Sequence, residues 1–433
     1  MGCSKPDLSR LARCPLPAAE TIRKGQAKAS AKFEPLVFRD ALVKHLSSSP
    51  PNDYDAISNK LDSLGSQLDY RKYEEQLFQI LLVGAILSPG GNIDDNGIGR
   101  CSFSIVSVGG ESDKLDMKEM RKAVGVFERL MRRYKYLQHD FEETSLPRIL
   151  GYVGRLTATE QQRLAGALVL FFQTGQVPAS VLSAVRSVHL VKEGTAQTFL
   201  LSFLSAYKQT GESFEPMFVA FRKAGLADLD GFFSPGKRAA ADVTGSLRAA
   251  GLGTVADWFV KTKTAGVRDE VTKRAKTALA DGADADEVLS VLEPIAARSI
   301  PSVISDSDFV SLVFLALVSR LDLNAEGANV VDSAVKQVKD YAPVFEAFAQ
   351  KAVCEVSLIN TIQVYVHENP KVQPGFLRIL KTLVSEDVVS SGPLSFWYNK
   401  GSKPQGREVL REKARPLVEF LEQQEEEEES DEE

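Results

Sequence analysis

The sequence has little cysteine, and the cysteines it has are scattered. The four, Cys3, Cys14, Cys101 and Cys354, form no C-x-x-C pair. Disulfide-stabilised secreted domains and zinc ribbons both need cysteines at close, regular spacings. The pattern argues against both kinds of domain and predicts a protein of a reducing, intracellular compartment.

Long apolar runs are also missing. The longest, Phe309 to Val318, covers ten residues and includes Ser311, whereas a helix needs roughly 20 apolar residues to span a bilayer. No apolar segment of a signal peptide occurs in the first 30 residues. Gly2 and Cys3 resemble an acylation signal, but Pro6 stands where the myristoylation pattern requires Ser or Thr. We expect a cytoplasmic protein with no membrane partner.

Motifs of catalysis and metal binding are absent from the sequence. His45, His139, His189 and His367 are scattered, and neither the histidine pair of a zincin helix nor a G-x-S-x-G elbow occurs. Gly231, Gly236 and Lys237 have the spacing of a phosphate-binding loop, but Arg238 replaces the Ser or Thr that would hold magnesium, and no strand precedes them. We therefore predict that the protein is not an enzyme and holds neither a cofactor nor a metal.

Charge is distributed unevenly along the chain. The 433 residues carry 58 acids and 52 bases, with 44% hydrophobic content that is ordinary for a globular protein of two or three domains. Nine of the acids and no base fall in residues 422–433, which leaves 49 acids against 52 bases elsewhere, and residues 1–32 hold seven bases against two acids. We predict a flexible basic head and an acidic tail, which either keeps the protein soluble or attracts a lysine-rich partner.

Helical periodicity recurs along most of the chain. The spacing of the apolar residues predicts one buried helix face, surrounded by Lys and Arg, made of Met120, Val124, Phe127, Met131 and Tyr134. Only Cys101 to Val108 alternates as a strand would, and one strand cannot form a sheet. The fold class predicted is all-α, with two HEAT-type helical solenoid domains, because successive helices joined by short turns are typical of stacked helical hairpins.

A stretch rich in Gly, Ser and Ala, Phe232 to Thr254, predicts the boundary between the two domains. The organisation predicted is a basic head (1–32), an N-terminal solenoid (33–254), a second helical domain (255–424) and an acidic tail (425–433).

A basic cluster formed by Arg129, Arg132, Arg133 and Lys135 is interleaved with Tyr134 and Tyr136. The favoured interpretation is a solvated helix face. The alternative is a secondary surface that grips RNA phosphates and stacks bases, which would make the protein an RNA-binding helical scaffold.

Several stretches resemble a known family. They are KFEPLVFRDALVKHL (32–46), LDYRKYEEQLFQILLVGAILSPGG (68–91), RLMRRYKYL (129–137), HLVKEG (189–194) and SAVKQVKDYAPVFEAF (333–348). Over residues 32–433 the chain resembles the basic leucine zipper and W-two domain-containing proteins, also called initiation-factor-five-mimic proteins. The resemblance implies an N-terminal solenoid similar to the middle domain of initiation factor four gamma. No heptad of leucines sustains a zipper here.

The C-terminal half resembles a W-two domain, whose two boxes of aromatic and acidic residues are implied to bind a partner. The first box is VSEDVVSSGPLSFWYNK and the second LVEFLEQQEEEEE. The partner-binding residues so implied are Glu386, Asp387, Trp397, Tyr398, Glu419, Phe420, Glu422, Glu425, Glu426, Glu427, Glu428 and Glu429. Aromatic rings that bury area beside carboxylates that hold ammonium groups suit a polylysine segment.

The boxes depart from the family pattern at two places and leave one question open. Ser391 and Gly392 stand where family members have acids, and Phe420 stands where they have a tryptophan. Pro416 is expected to bend or restart the last helix. Trp397 has two interpretations, a partly exposed anchor or a core residue.

The resemblance implies a regulator of translation initiation. The W-two domain is expected to bind the lysine-rich beta subunit of initiation factor two, and to contact initiation factor three, in competition with initiation factor five, so that start-codon selection is tuned. Contact with RNA or the ribosomal complex would be indirect. An alternative from the same domain type is a guanine-nucleotide-exchange module.

Overall fold

The computed structural model describes residues 33–50, 52–94, 99–110, 114–321 and 327–431, and of residues 94, 327–329 and 425–431 it describes the backbone alone. The basic head predicted for residues 1–32 lies outside the described residues, as do Glu432 and Glu433 of the tail and the side chains of Glu425 to Glu429.

The first half of the chain is a series of short α-helices. They are α1 (Pro35–Leu46), α2 (Tyr54–Leu64), α3 (Glu74–Val83), α4 (Met117–Arg133), α5 (Leu137–Asp140), α6 (Leu146–Gly151), α7 (Ala158–Gln173), α8 (Val188–Glu193), α9 (Thr195–Gln209), α10 (Glu215–Lys223) and α11 (Ala240–Ala249). Recognisable capping residues mark the ends of several of these helices. Thr157 and Glu160 form a capping box at the start of α7, and Gly84 ends α3 in the left-handed conformation that glycine adopts without strain.

The second half of the chain continues in the same way. Its helices are α12 (Gly253–Ala280), α13 (Ala285–Ser299), α14 (Asp306–Val318), α15 (Gly327–Asp340), α16 (Ala342–Phe348), α17 (Ala352–Glu368), α18 (Phe376–Ser385), α19 (Ser391–Phe396) and α20 (Arg407–Asp431). Helices pack on near neighbours in the chain, for example α7 on α9, α14 on α17 and α18 on α20. The all-α prediction is confirmed.

The strand predicted at Cys101 to Val108 is wrong. Ile105–Ser107 forms a 3₁₀ turn, because Ser104 and Ser107 cap one another and Val106 is buried together with Ile105, so the apparent alternation does not continue. Among the described residues the only strands are a two-residue hairpin, β1 (Ile86–Leu87) and β2 (Ile93–Asp94), paired antiparallel with Leu87 opposite Ile93.

The buried side chains form two cores. One extends from Phe38 to Phe259 and the other from Val271 to Val418. The continuous helix α12 joins them, since its early residues belong to the first core and its late residues to the second. The domain boundary predicted at residue 254 lies at the start of this helix and stays a prediction. No helix within the described ranges is long and apolar enough to cross a membrane.

Candidate partner-binding surface

Trp397 lies in the second core. It is 0% exposed, its ring centroid is 5.8 Å from that of Phe376, and its indole nitrogen donates to the side-chain oxygen of Gln363 at 2.9 Å. The structure therefore supports the second interpretation, in which Trp397 is a core residue. The prediction that its side chain contacts a partner directly is corrected, because the ring does not reach the surface. An indole is buried without penalty only when its N–H has an acceptor, and Gln363 supplies one.

A network of two amides fixes the segment that follows Trp397. Gln363 donates to the carbonyls of Lys403 and Gln405, both at 2.7 Å, and Asn360 donates to the carbonyl of Gly401 at 3.0 Å. The backbone N–H of Lys403 donates back to the side-chain oxygens of both amides. Because a satisfied polar network in a buried site specifies one arrangement, it holds the connection between the first box and α20 against α17.

Tyr398 is half-buried and engaged by arginines. The guanidinium carbon of Arg411 lies 4.8 Å from the centre of its ring, a cation–π contact. A hydrogen bond from Arg415 to the Tyr398 hydroxyl is the main reason that the pKa of Arg415 is raised. Tyr398 therefore ties the first box to α20 and presents only part of its ring to solvent.

Glu386 and Asp387 follow the last turn of α18. The Glu386 side chain is 35% exposed, with an oxygen 3.7 Å from the Lys339 ammonium nitrogen, and Asp387 is exposed. The backbone N–H of Val388 donates to the carbonyl of Leu383, which closes a Schellman-type helix end with Asp387 at a φ of 55°. Among the described residues, Asp387 is the only non-glycine residue with positive φ.

The second box lies on α20, whose apolar face ends at Leu421. Leu410, Ala414, Leu417 and Val418 are buried, whereas Glu419 and Glu422 are exposed and Phe420 is 54% exposed. The expected restart at Pro416 does not occur, because α20 continues through it. Pro416 lies on the exposed side of the helix, where water can satisfy the carbonyl that loses its partner.

The short helix α19 connects the two acidic segments. Asp387 precedes Ser390 by three residues, which span at most about 11 Å. The backbone N–H and the hydroxyl of Ser390 both donate to the Glu355 carboxylate, which fixes the start of α19. Ser395, at the other end of α19, donates to Glu422 at 3.3 Å. Asp387 and Glu422, which are 35 residues apart in sequence, therefore each lie near one end of this six-residue helix.

Phe396 is an exposed aromatic residue of this surface that was not among the predicted binding residues. Phe396 is 53% exposed beside the buried Trp397. Neighbouring residues of a helix point about 100° apart, so burial of one ring turns the next toward solvent. The adjacent rings of Phe396 and Trp397 could have indicated that one of them is exposed, but the sequence does not show which one is buried.

The basic cluster lies far along the chain from this surface, on the exposed side of α4. Arg129, 56% exposed, forms an ion pair with Asp55, and Arg132, Arg133 and Lys135 are exposed. No group of His, Cys, Asp or Glu that could hold a metal ion occurs in the part of the chain that the structure describes.

Comparison with known proteins identifies the family. The 5MP1/2 HEAT domain matches residues 21–269, more than half of the chain. Protein krasavietz of Drosophila melanogaster is 32% identical over 98% of this chain and 99% of its own length. The chain belongs to the eIF5-mimic protein family. Human eIF5-mimic protein 1 is 30% identical over 92% of this chain and 94% of its own length, and zebrafish (Danio rerio) eIF5-mimic protein 2-A is 29% identical over 93% of both.

A second match covers the candidate surface. The W2 domain, described as eIF4-gamma/eIF5/eIF2-epsilon, matches residues 354–431, from α17 to the end of α20. The two matches confirm the family resemblance and the HEAT-type fold class. This eIF5-mimic family member is a translation-initiation-related protein, and the individual binding residues stay predictions.

Proposed function

We propose that the chain binds the lysine-rich beta subunit of initiation factor two in competition with initiation factor five, and in this way regulates start-codon selection in the cytoplasm. The observation that carries the proposal is that two segments, one near each end of α19, both present carboxylates to solvent, of which Glu386 is half-buried beside Lys339 and the others are exposed. Glu386 and Asp387 come from the first, and Glu419 and Glu422 from the second.

The surface has the composition that a flexible lysine-rich segment requires. Each exposed ion pair contributes only about 0.2–1 kcal/mol, so several must act together. The negative field of the same groups would raise the association rate at low salt. Phe396 and Phe420, both about half exposed, offer rings against which the methylene stems of lysines can pack.

The proposed competition with initiation factor five rests on a difference between the two proteins outside the W-two domain. In the resemblance, initiation factor five carries a catalytic arginine and a zinc ribbon in its own N-terminal part, and this sequence has no cysteines at zinc-ribbon spacing. A protein that docks without that part occupies the partner and makes or breaks no bond. Initiation factor three is proposed as a second partner of the same chain.

A binding titration of the full chain with the lysine-rich segment of the beta subunit tests the proposal. Glu419→Gln together with Glu422→Gln should weaken binding at low salt by about 0.4–2 kcal/mol. Asp340→Asn with Glu346→Gln is the matched control, because both are exposed acids of the same domain and lie outside the two boxes. Equal losses for the two variants, or none for either, would discard the surface.

A further inference from the structure

Every residue of α4 that is exposed is basic. These residues are Lys118, Arg121, Lys122, Arg129, Arg132 and Arg133. The helix has 17 residues and is therefore about 25 Å long. The other face of α4 is buried in the first core through residues such as Met120, Val124 and Phe127. The exposed basic residues, called the basic stripe here, are therefore held on a packed helix.

Most of these charges form no ion pair with the described residues. Lys122 pairs with Glu119 and Arg129 with Asp55. Arg132, Arg133 and the following Lys135 have no ion-pair partner among the described residues. The uncompensated charge is therefore concentrated at the C-terminal end of the stripe.

A groove of about 670 Å³ opens at this same end. Arg132 and Lys135 line it together with Gln138, Thr174 and Gln176, and the buried Met131 contributes to its lining. One half-buried acid, Glu128, also lines it, which leaves the lining net positive. The Thr174 hydroxyl already donates to the carbonyl of Leu170, and the Gln138 amide donates to that of Gln176. The groove thus combines cations with a hydroxyl oxygen that can still accept and an amide that keeps one N–H and its oxygen for a ligand.

An exposed aromatic ring stands next to the charges. Tyr136 is 37% exposed, its ring centroid is 6.1 Å from that of Tyr134, and the guanidinium carbon of Arg71 lies 5.4 Å from its own ring centre. Tyrosine beside arginine is a stacking platform suited to a nucleobase.

We propose that this stripe and groove bind single-stranded RNA. Phosphates would lie along Arg132, Arg133 and Lys135, with a base on Tyr136 and polar base edges facing the groove amides. An acidic protein segment fits less well, since an interface of that kind is anchored by apolar residues, and α4 exposes no large apolar side chain. The site lies on the surface of helices that pack into the first core, and it does not depend on the function proposed for the surface over the second core.

Binding of fluorescein-labelled oligouridylate to the full chain, measured by anisotropy over a salt series, tests the proposal. Replacing Arg132, Arg133 and Lys135 with Ala should lower affinity at least about tenfold and reduce the slope of log K against log salt by about 2, or about 0.7 for each phosphate that the variant no longer neutralises. The matched control replaces Lys273, Arg274 and Lys276, three exposed bases of α12, and should change neither quantity.

Tyr136→Ala separates stacking from charge. It should weaken binding without changing the salt slope, whereas Tyr136→Phe should bind normally. Equal losses for the α4 and α12 variants would overturn the site as a generic charge effect. Equal affinity for polyglutamate would overturn it in favour of an acidic protein partner.

Discussion

Trp397 is the largest fully buried side chain among the described residues, and Gln363 accepts its one hydrogen bond. Trp397→Ala should therefore lower the free energy of unfolding of the part of the chain that forms the second core by about 3–5 kcal/mol, because a cavity replaces the indole and the Gln363 oxygen loses a donor. Thermal melting and affinity for the lysine-rich segment of the beta subunit, measured on the same sample, check this.

The charge-only comparison is Glu386→Gln with Asp387→Asn, which should weaken binding and leave melting unchanged. A Trp397→Ala protein that melts normally yet fails to bind would contradict the core assignment and return Trp397 to the contact surface. A silent charge variant would remove the first box from that surface.

Asp387 occupies a backbone conformation in which glycine is the usual residue. Its φ of 55° closes the end of α18, although its carboxylate makes no ion pair among the described residues. Asp387→Gly should change the free energy of unfolding by less than about 1 kcal/mol, because glycine adopts positive φ without strain. Binding of the lysine-rich segment should nevertheless fall by about 0.2–1 kcal/mol. Normal binding would show that this aspartate serves only the helix end.

At the scale of the helix, α20 divides into a packed part and an acidic part. Its last partly buried apolar residue is Leu421, and Glu422, Gln423 and Gln424 are exposed. Removing residues 422–433 takes away nine acids and no described buried side chain. The truncated protein should melt within about 2 °C of the full chain, since little apolar area is lost, and should bind the beta subunit more weakly at low salt. Unchanged affinity at low salt would show that the tail serves solubility alone.

The spacing of apolar residues predicted the long helices, but it did not predict which individual side chains are buried. The predicted face of α4 is buried at Met120, Val124, Phe127 and Met131, because a long amphipathic pattern can be satisfied in only one way. Tyr134, which the same spacing placed on that face, follows the end of the helix and is only half-buried. The short alternation at Cys101 to Val108 could not distinguish a strand from a 3₁₀ turn. The burial of Trp397 depends on Gln363, which is 34 residues away, so no local pattern could reveal it.

For the whole molecule, the two cores offer a direct test of the domain organisation. The chain has two tryptophans, and Trp258 lies in the first core while Trp397 lies in the second. The indole nitrogen of Trp258 has no hydrogen-bond partner among the described residues, so Trp258→Phe should cost little, whereas Trp397→Phe loses the bond to Gln363. Each single-tryptophan protein therefore reports on one core.

We expect fluorescence-monitored urea unfolding to give different midpoints for the two single-tryptophan proteins, because α12 provides most of the packing between the cores. Circular dichroism of the unaltered chain should then show both transitions. Coincident midpoints throughout would mean that the chain unfolds as one cooperative unit and that the proposed division is not a domain boundary.

We propose that this eIF5-mimic family member occupies the partner of initiation factor five without replacing its activity. The most direct test of this proposal is a displacement experiment in a purified preinitiation complex, in which the full chain is titrated against labelled initiation factor five while GTP hydrolysis is followed. We expect initiation factor five to be released and GTP hydrolysis to fall in proportion, and the Glu419→Gln/Glu422→Gln protein to require higher concentrations for the same effect. Simultaneous binding of both proteins, or hydrolysis stimulated by the chain when initiation factor five is absent, would contradict the proposal.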